Sequence, residues 1–151
     1  MLKVWISGAN GHLGQALCTR LDREKYQLIA TDVAEVDVTV PAEVRAFADA
    51  NRPDVIINCT GFNDEDGCET DPDRAYRVNA LGPRNLALAC EKINARLIHI
   101  STDYVFSGTA NGGVALDESA LPAPISAYGQ TKLLGETYVQ QFCRRHFIVR
   151  T

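Results

Sequence analysis

No apolar run in this chain approaches the roughly 20 residues that cross a bilayer. Met1-Leu2-Lys3 leads straight into a strand-like segment with no signal-peptide pattern. No membrane partner is expected. A basic excess is also missing: 15 Lys and Arg stand against 19 Asp and Glu, a formal charge of −4, which argues against nucleic acid as the main partner. A small anionic ligand stays compatible with that charge, because a helix N-terminus can bind one without net positive charge. Cys18, Cys59, Cys68, Cys90 and Cys143 are odd in number and contain no C-x-x-C pair, and only three histidines accompany them. This pattern suits neither a zinc set nor a disulfide framework; it suits reduced thiols in a cytoplasm, with no bound metal. Internal repeats and low-complexity segments are absent. The 151 residues, 46% of them hydrophobic, suit one domain with one core.

Short apolar runs alternate with amphipathic stretches. Strands are predicted at 4–6, 28–30, 55–57, 97–100 and 147–149, and helices near 12–22, 41–51, 72–92 and 126–144. Continuous apolar strands separated by helices indicate a parallel sheet covered on both faces, an α/β Rossmann-type doubly wound fold. Asp71 before Pro72 reads as an N-cap with proline at the first helical position, and Ser126 as the N-cap of the last helix. Arg144, Arg145 and His146 fall at that helix's predicted end, where positive charge suits the dipole. Residues 107–125, with Ser107-Gly108, Gly112-Gly113 and Pro122-Ala123-Pro124, form one long irregular stretch of the kind that is more often functional than idle.

Directly after the first strand comes Gly8-Ala9-Asn10-Gly11-His12-Leu13-Gly14, a G-x-x-G-x-x-G spacing that opens the first helix. Glycines there permit a tight turn, bring backbone N–H groups up to a pyrophosphate and let the helix pack closely on the sheet. Asp32 ends the second strand, 18 residues beyond Gly14. Its carboxylate can accept hydrogen bonds from the adenosine ribose and would repel a 2′-phosphate, which slightly favours NAD(H) over NADP(H). Asp37 and Val38 follow in the next loop, placed to lie under an adenine.

Tyr128 and Lys132 stand four residues apart in a helical pattern and so project from one face. A positive charge beside a phenol favours the phenolate, so Lys132 is expected to lower the Tyr128 pKa and make it a proton donor. Asp64-Glu65-Asp66-Gly67-Cys68-Glu69 reads as a solvated acidic loop leading into the helix at Pro72. Cys59 reads as a small buried apolar residue, and Trp5 and His99 as core.

Taken in order, the 8–14 loop, Asn58-Cys59-Thr60-Gly61, Ser101-Thr102-Asp103-Tyr104-Val105-Phe106 and Tyr128-x-x-x-Lys132 resemble the extended short-chain dehydrogenase/reductase superfamily. Arg52-Pro53-Asp54-Val55-Ile56-Ile57-Asn58, Val78-Asn79-Ala80-Leu81-Gly82-Pro83 and His99-Ile100 before Ser101 narrow the resemblance to the dTDP-4-dehydrorhamnose reductase family. It covers nearly the whole chain. It implies an NAD(P)H-dependent reductase that acts on the 4-keto group of a nucleotide-linked deoxysugar, in making dTDP-L-rhamnose for surface polysaccharides. Tyr128 would donate a proton to the sugar oxygen, Lys132 would hold the nicotinamide ribose, and Thr102 would stand for the superfamily's catalytic serine. Asp103 becomes a sugar contact, and Gly61, Phe62 and Asn63 line the cofactor. Gly67 departs from the family pattern, where a basic residue is common, and the extra acid around it suits a nucleotide-sugar diphosphate poorly.

Relatives continue past the fifth strand into a smaller substrate lobe. The resemblance therefore implies that residues 1–151 are an NAD(P)-binding Rossmann-type domain without that lobe, poorly active or inactive alone. It also implies an unprotected edge on the last strand that invites self-association into a homo-oligomer. Two other functions fit the same motifs. A nucleotide-sugar epimerase or dehydratase would share Tyr128 and Lys132 but recycle its cofactor. A reductase-like regulatory subunit, as in one partner of methionine adenosyltransferase, would not need them.

Overall fold

The computed structural model describes residues 1–108 and 115–151. Gly112-Gly113 lie outside the described residues. Five strands, β1 (Leu2–Ser7), β2 (Tyr26–Thr31), β3 (Val55–Asn58), β4 (Arg96–Ser101) and β5 (His146–Arg150), form one sheet. Their order is β2-β1-β3-β4-β5 and every pairing is parallel. The fold is thus the Rossmann-type α/β sheet the alternation predicts. The chain steps from β1 outward to β2, then returns past β1 to β3. That reversal puts a crevice at the carboxyl ends of β1 and β3, where open α/β sheets take their ligands.

Alternation along β1 divides the core. Trp5 turns to one face and joins Val44, Ile56, Leu86, Leu97 and Val139; Val4 and Ile6 turn to the other and meet Ile57 and Leu17. The first face is covered by α2 (Pro41–Asn51), α5 (Gly82–Ile93) and α6 (Ala127–Phe142), the second by α1 (His12–Arg20). Cover is incomplete at the edge: Phe147 and Val149 of β5 are 60% and 41% exposed. Trp5 and His99 are fully buried, as core residues should be.

Three local expectations need correction. The acidic run 64–69 is a short helix, α3 (Glu65–Thr70), capped by Asp64, which accepts from the Gly67 N–H at 3.0 Å. Acid in its first turn stabilises it through the dipole, and Glu69 Oε1 accepts from the Ala127 N–H at 2.7 Å. The predicted helix 72–92 divides into α4 (Pro72–Tyr76), a π-helical turn (Arg77–Leu81) and α5. Pro83 has no N–H to offer back to Asn79, and the Gly82 N–H reaches Arg77 O instead. Arg144, Arg145 and His146 do not lie in the last helix, which stops at Phe142; Arg144 pairs with Glu91 and His146 begins β5. Asp71 and Ser126 do cap their helices, through Arg74 N–H and Gly129 N–H, both at 3.0 Å. The five cysteines are free thiols.

Candidate active site

The 8–14 loop is shaped by what a side chain would hit. Gly8 has a φ of +77° and a Cβ there would lie 2.8 Å from Thr60 N; at Gly14 it would lie 2.2 Å from Gly8 O. Glycine alone fits both places, so β1 turns tightly and α1 starts hard against the turn. Asp32 fastens the loop: its carboxylate accepts from Asn10 N–H (2.9 Å) and from Val33 N–H (2.8 Å). Each oxygen keeps a lone pair for another donor.

Two cavities open at this end of the sheet, one on each side of residues 60–63. The first, about 250 Å³, is lined by Asp32, Val33, Asp37, Val38, Gly61 and Phe62 among others. The second, about 270 Å³, is lined by Gly11, His12, Leu13, Asn63, Tyr128 and Lys132 among others. Thr60 borders both, and its hydroxyl pairs with Ser7 Oγ at 2.9 Å. Of the predicted residues, Asp32, Asp37, Val38, Gly61 and Phe62 border the first cavity and Gly11, His12, Leu13, Asn63, Tyr128 and Lys132 the second; Thr102 and Asp103 border neither. The larger cleft between α2 and α5, near Arg45 and Arg84, lies away from them and has no part in this chemistry.

The π-helical turn has a local consequence. It directs buried Asn79 at residue 62: Asn79 Oδ1 accepts from Phe62 N–H (2.8 Å) and its Nδ2 donates to Phe62 O (3.0 Å). The 60–63 wall is thereby tied to the helices behind it. Across it, Tyr128 is 8% exposed, donates from its hydroxyl to Asn63 Oδ1 at 3.3 Å, and meets the Tyr104 ring edge-on at 5.5 Å. Thr102, 5% exposed, follows β4 and accepts from Tyr104 N–H at 3.2 Å. Asp103 beside it is exposed.

The electrostatics correct one expectation. The Tyr128 pKa lies above its ordinary value, not below it. Burial pushes the phenol above its ordinary value, a hydrogen bond with Thr102 opposes this, and the nearby Cys68, Glu65 and Asp103 push upward again. The Lys132 ammonium turns instead to the main chain and donates to Ile100 O at 2.6 Å. Burial lowers its own pKa to about 8, with Glu136 and Cys59 opposing. Cys59 borders the second cavity and burial raises its thiol to about 11, so it is inert as a nucleophile at neutral pH. Below the site His99 is held neutral, its pKa lowered by burial to about 3. Asn58 Nδ2 donates to its Nδ1 at 3.1 Å.

Thr60, Asn79, Ser101, Glu136 and Arg150 escape a reading of local spacing. The partners that make them matter lie far off in sequence, and only the strand order brings them together.

The sequence matches the RmlD substrate binding domain family over residues 2–151. The chain belongs to that family. A dTDP-4-dehydrorhamnose reductase of Mycolicibacterium smegmatis is 39% identical over 99% of this chain and 45% of its own length. Among solved structures, a dTDP-4-dehydrorhamnose reductase of Clostridium acetobutylicum superposes with a TM-score of 0.95 at 41% identity, covering 99% of this chain and 52% of that one. A dTDP-4-dehydrorhamnose reductase of Bacillus anthracis in complex with NADP gives 0.95 at 40% identity, covering 99% and 53%. This chain thus spans about half the length of the family members it matches. No helix among the described residues is long and apolar enough to cross a membrane.

Proposed function

We propose that residues 1–151 form the NAD(P)-binding part of a short-chain dehydrogenase/reductase-type enzyme that reduces the 4-keto group of dTDP-4-dehydrorhamnose. The observation that carries this reading is the meeting of Tyr128 and Lys132 with the 8–14 loop around one cavity, beside a second cavity that Asp32 borders. The residues fit a nicotinamide dinucleotide. The glycine turn lets β1 and α1 pack where a Cβ at Gly8 or Gly14 would strike backbone, and the α1 N-terminus offers backbone N–H groups to a pyrophosphate. Asp32 keeps lone pairs for a ribose, Asp37 and Val38 line the base side, and Gly61, Phe62 and Asn63 form the wall between the two ends. NAD(H) and NADP(H) are both accommodated, with Asp32 favouring NAD(H) slightly.

Bound there, a reduced nicotinamide supplies a hydride to a carbonyl carbon. Tyr128 holds the proton that the carbonyl oxygen then needs. With its pKa raised, it remains protonated at neutral pH and releases the proton only as negative charge builds on the substrate oxygen. Thr102 adds a hydrogen bond to that oxygen. Lys132 keeps two N–H groups beyond the one on Ile100 O, and these hold the nicotinamide ribose. Asp103, exposed at the rim, contacts the sugar. The substrate is a nucleotide sugar and the setting cytoplasmic.

Calorimetry with NADH and NADPH tests the cofactor reading: both bind the folded chain. A folded chain that binds neither overturns it. With dTDP-4-dehydrorhamnose added, the chain alone consumes NADH poorly or not at all, because few described groups face a sugar. Turnover at the rate of a longer family member would contradict this. In such a longer protein, net NADH consumption separates reduction from the cofactor recycling of an epimerase.

A further inference from the structure

Beside the proposed site lies a buried charge network with no part in the scheme above. Glu136 is 2% exposed on α6, one turn beyond Lys132. Its Oε1 accepts from Ser101 Oγ at 2.5 Å and Arg150 Nε at 3.0 Å, and its Oε2 from Arg150 Nη2 at 2.7 Å. Ser101 and Arg150 end β4 and β5 and face each other in register. The Arg150 guanidinium also sits 5.1 Å from the Phe106 ring centroid. One carboxylate therefore ties α6 to two strand ends at the edge of the crevice.

Such a network is a costly way to join three elements. Desolvating the charges offsets much of their attraction, and an apolar pair of similar volume often holds a fold as well or better. The network stands one helical turn from Lys132. The Lys132 side chain is 3% exposed, and its ammonium donates to the carbonyl of Ile100, the residue before Ser101. We propose that Glu136 is a positioning residue for Lys132: by pinning the end of β4 through Ser101, it fixes the ammonium at the carbonyl of the preceding residue, Ile100. The value of this for catalysis rests on the reading of Lys132 given above; the linkage itself is a property of the chain.

Other groups face the ammonium. Tyr128 stands on its own helix, Cys59 follows β3, His99 lies on β4, Arg150 stands behind Glu136 on β5, and His12 of α1 and Thr151 border the same cavity. Glu136, unlike these, is a side-chain carboxylate that the fold seals from water one helical turn from Lys132. Neutralising it removes the attraction that opposes burial, so the ammonium must lose its proton more readily.

The chain has four lysines, Lys3, Lys25, Lys92 and Lys132, so each ¹³Cε-lysine resonance can be followed through a pH titration. Lys132→Met identifies the resonance of interest. In the unaltered chain it titrates near 8. Glu136→Gln lowers the midpoint by about one pH unit or more, and Glu136→Asp restores part of it. An unmoved midpoint in folded Glu136→Gln overturns the proposal. If circular dichroism shows that this variant does not fold, Ser101→Ala decides. The end of β4 then loses its tie to the carboxylate and the ammonium is held less firmly at the Ile100 carbonyl, so the midpoint falls, and an unchanged or raised midpoint overturns the proposal. No cofactor enters this measurement. Should the chain bind no nicotinamide while Lys132 moves as stated, the cofactor reading fails and the linkage stands.

Discussion

The two cavities beside residues 60–63 are built by different means. The one around Asp32 is made by the backbone: a turn at Gly8, a close approach at Gly14, and main-chain N–H groups gathered on one carboxylate. The one around Lys132 is bordered by buried titratable side chains whose proton affinities the fold has moved, Lys132 down to about 8 and Tyr128 up, with His99 beneath it down to about 3. A polymer that must bind a dinucleotide can do so with geometry alone. Moving a proton needs groups whose charge is controlled, and control comes from burial and from neighbours fixed by the fold.

The largest effect expected is on the backbone-built side. Gly14→Val places carbon where the Gly8 carbonyl stands, so α1 must move off the turn. Strain of a few kcal/mol corresponds to ~100-fold in affinity, and calorimetry with NADH on the folded variant reads that loss. Unchanged binding would show that the turn is not the cradle.

Next in size is a property of the other side. His99 folds neutral with its pKa lowered to about 3 from an ordinary 6.5. Below 6.5 the unfolded chain takes a proton that the folded chain refuses, so stability falls as the pH drops from 6.5 towards 3. The loss from this residue is about 3 kcal/mol by pH 4. Urea titrations at a series of pH values show it, and His99→Gln flattens the limb. A limb equally steep in that variant removes His99 as its source.

The pattern was unequally legible. Five parallel strands, the 8–14 turn and the Tyr128/Lys132 face could be read from local spacing, because strand runs, glycine spacing and helical period are set by near neighbours in the chain. The direction of the Tyr128 shift could not. It depends on how deeply α6 buries the phenol and on the turn of Lys132 towards Ile100, both consequences of packing α6 against β4. The break at Arg77–Leu81 was hidden for another reason: periodicity does not register one extra residue in a turn, though Pro83 was a signal that could have revealed it. The acidic run 64–69 hides its helix because six residues are too short to display helical period, and only its Asp64 cap signals it.

A smaller effect is expected at the Asp32 end of the proposed dinucleotide site. Asp32→Ala weakens NADH by ~10-fold and spares NADPH, because the lost acceptor serves the 2′-hydroxyl and repels the 2′-phosphate. Equal loss for both cofactors in paired calorimetry would mean that Asp32 acts only through the 8–14 loop. The smallest effect belongs outside either cavity. Arg144 pairs with Glu91 at 2.7 Å, but its side chain is 88% exposed, so Arg144→Ala shifts stability by less than about 1 kcal/mol and leaves cofactor affinity alone. Chemical denaturation beside calorimetry checks both.

The central claim is that one dinucleotide lies across both cavities. Backbone amide shift mapping of the ¹⁵N-labelled chain with NADH tests it most directly. The account predicts simultaneous shifts in the 8–14 loop, at Asp32 to Val38, and at Asn63, Tyr128 and Lys132. Shifts confined to the Asp32 side, with Tyr128 and Lys132 unmoved at saturating NADH, would contradict it.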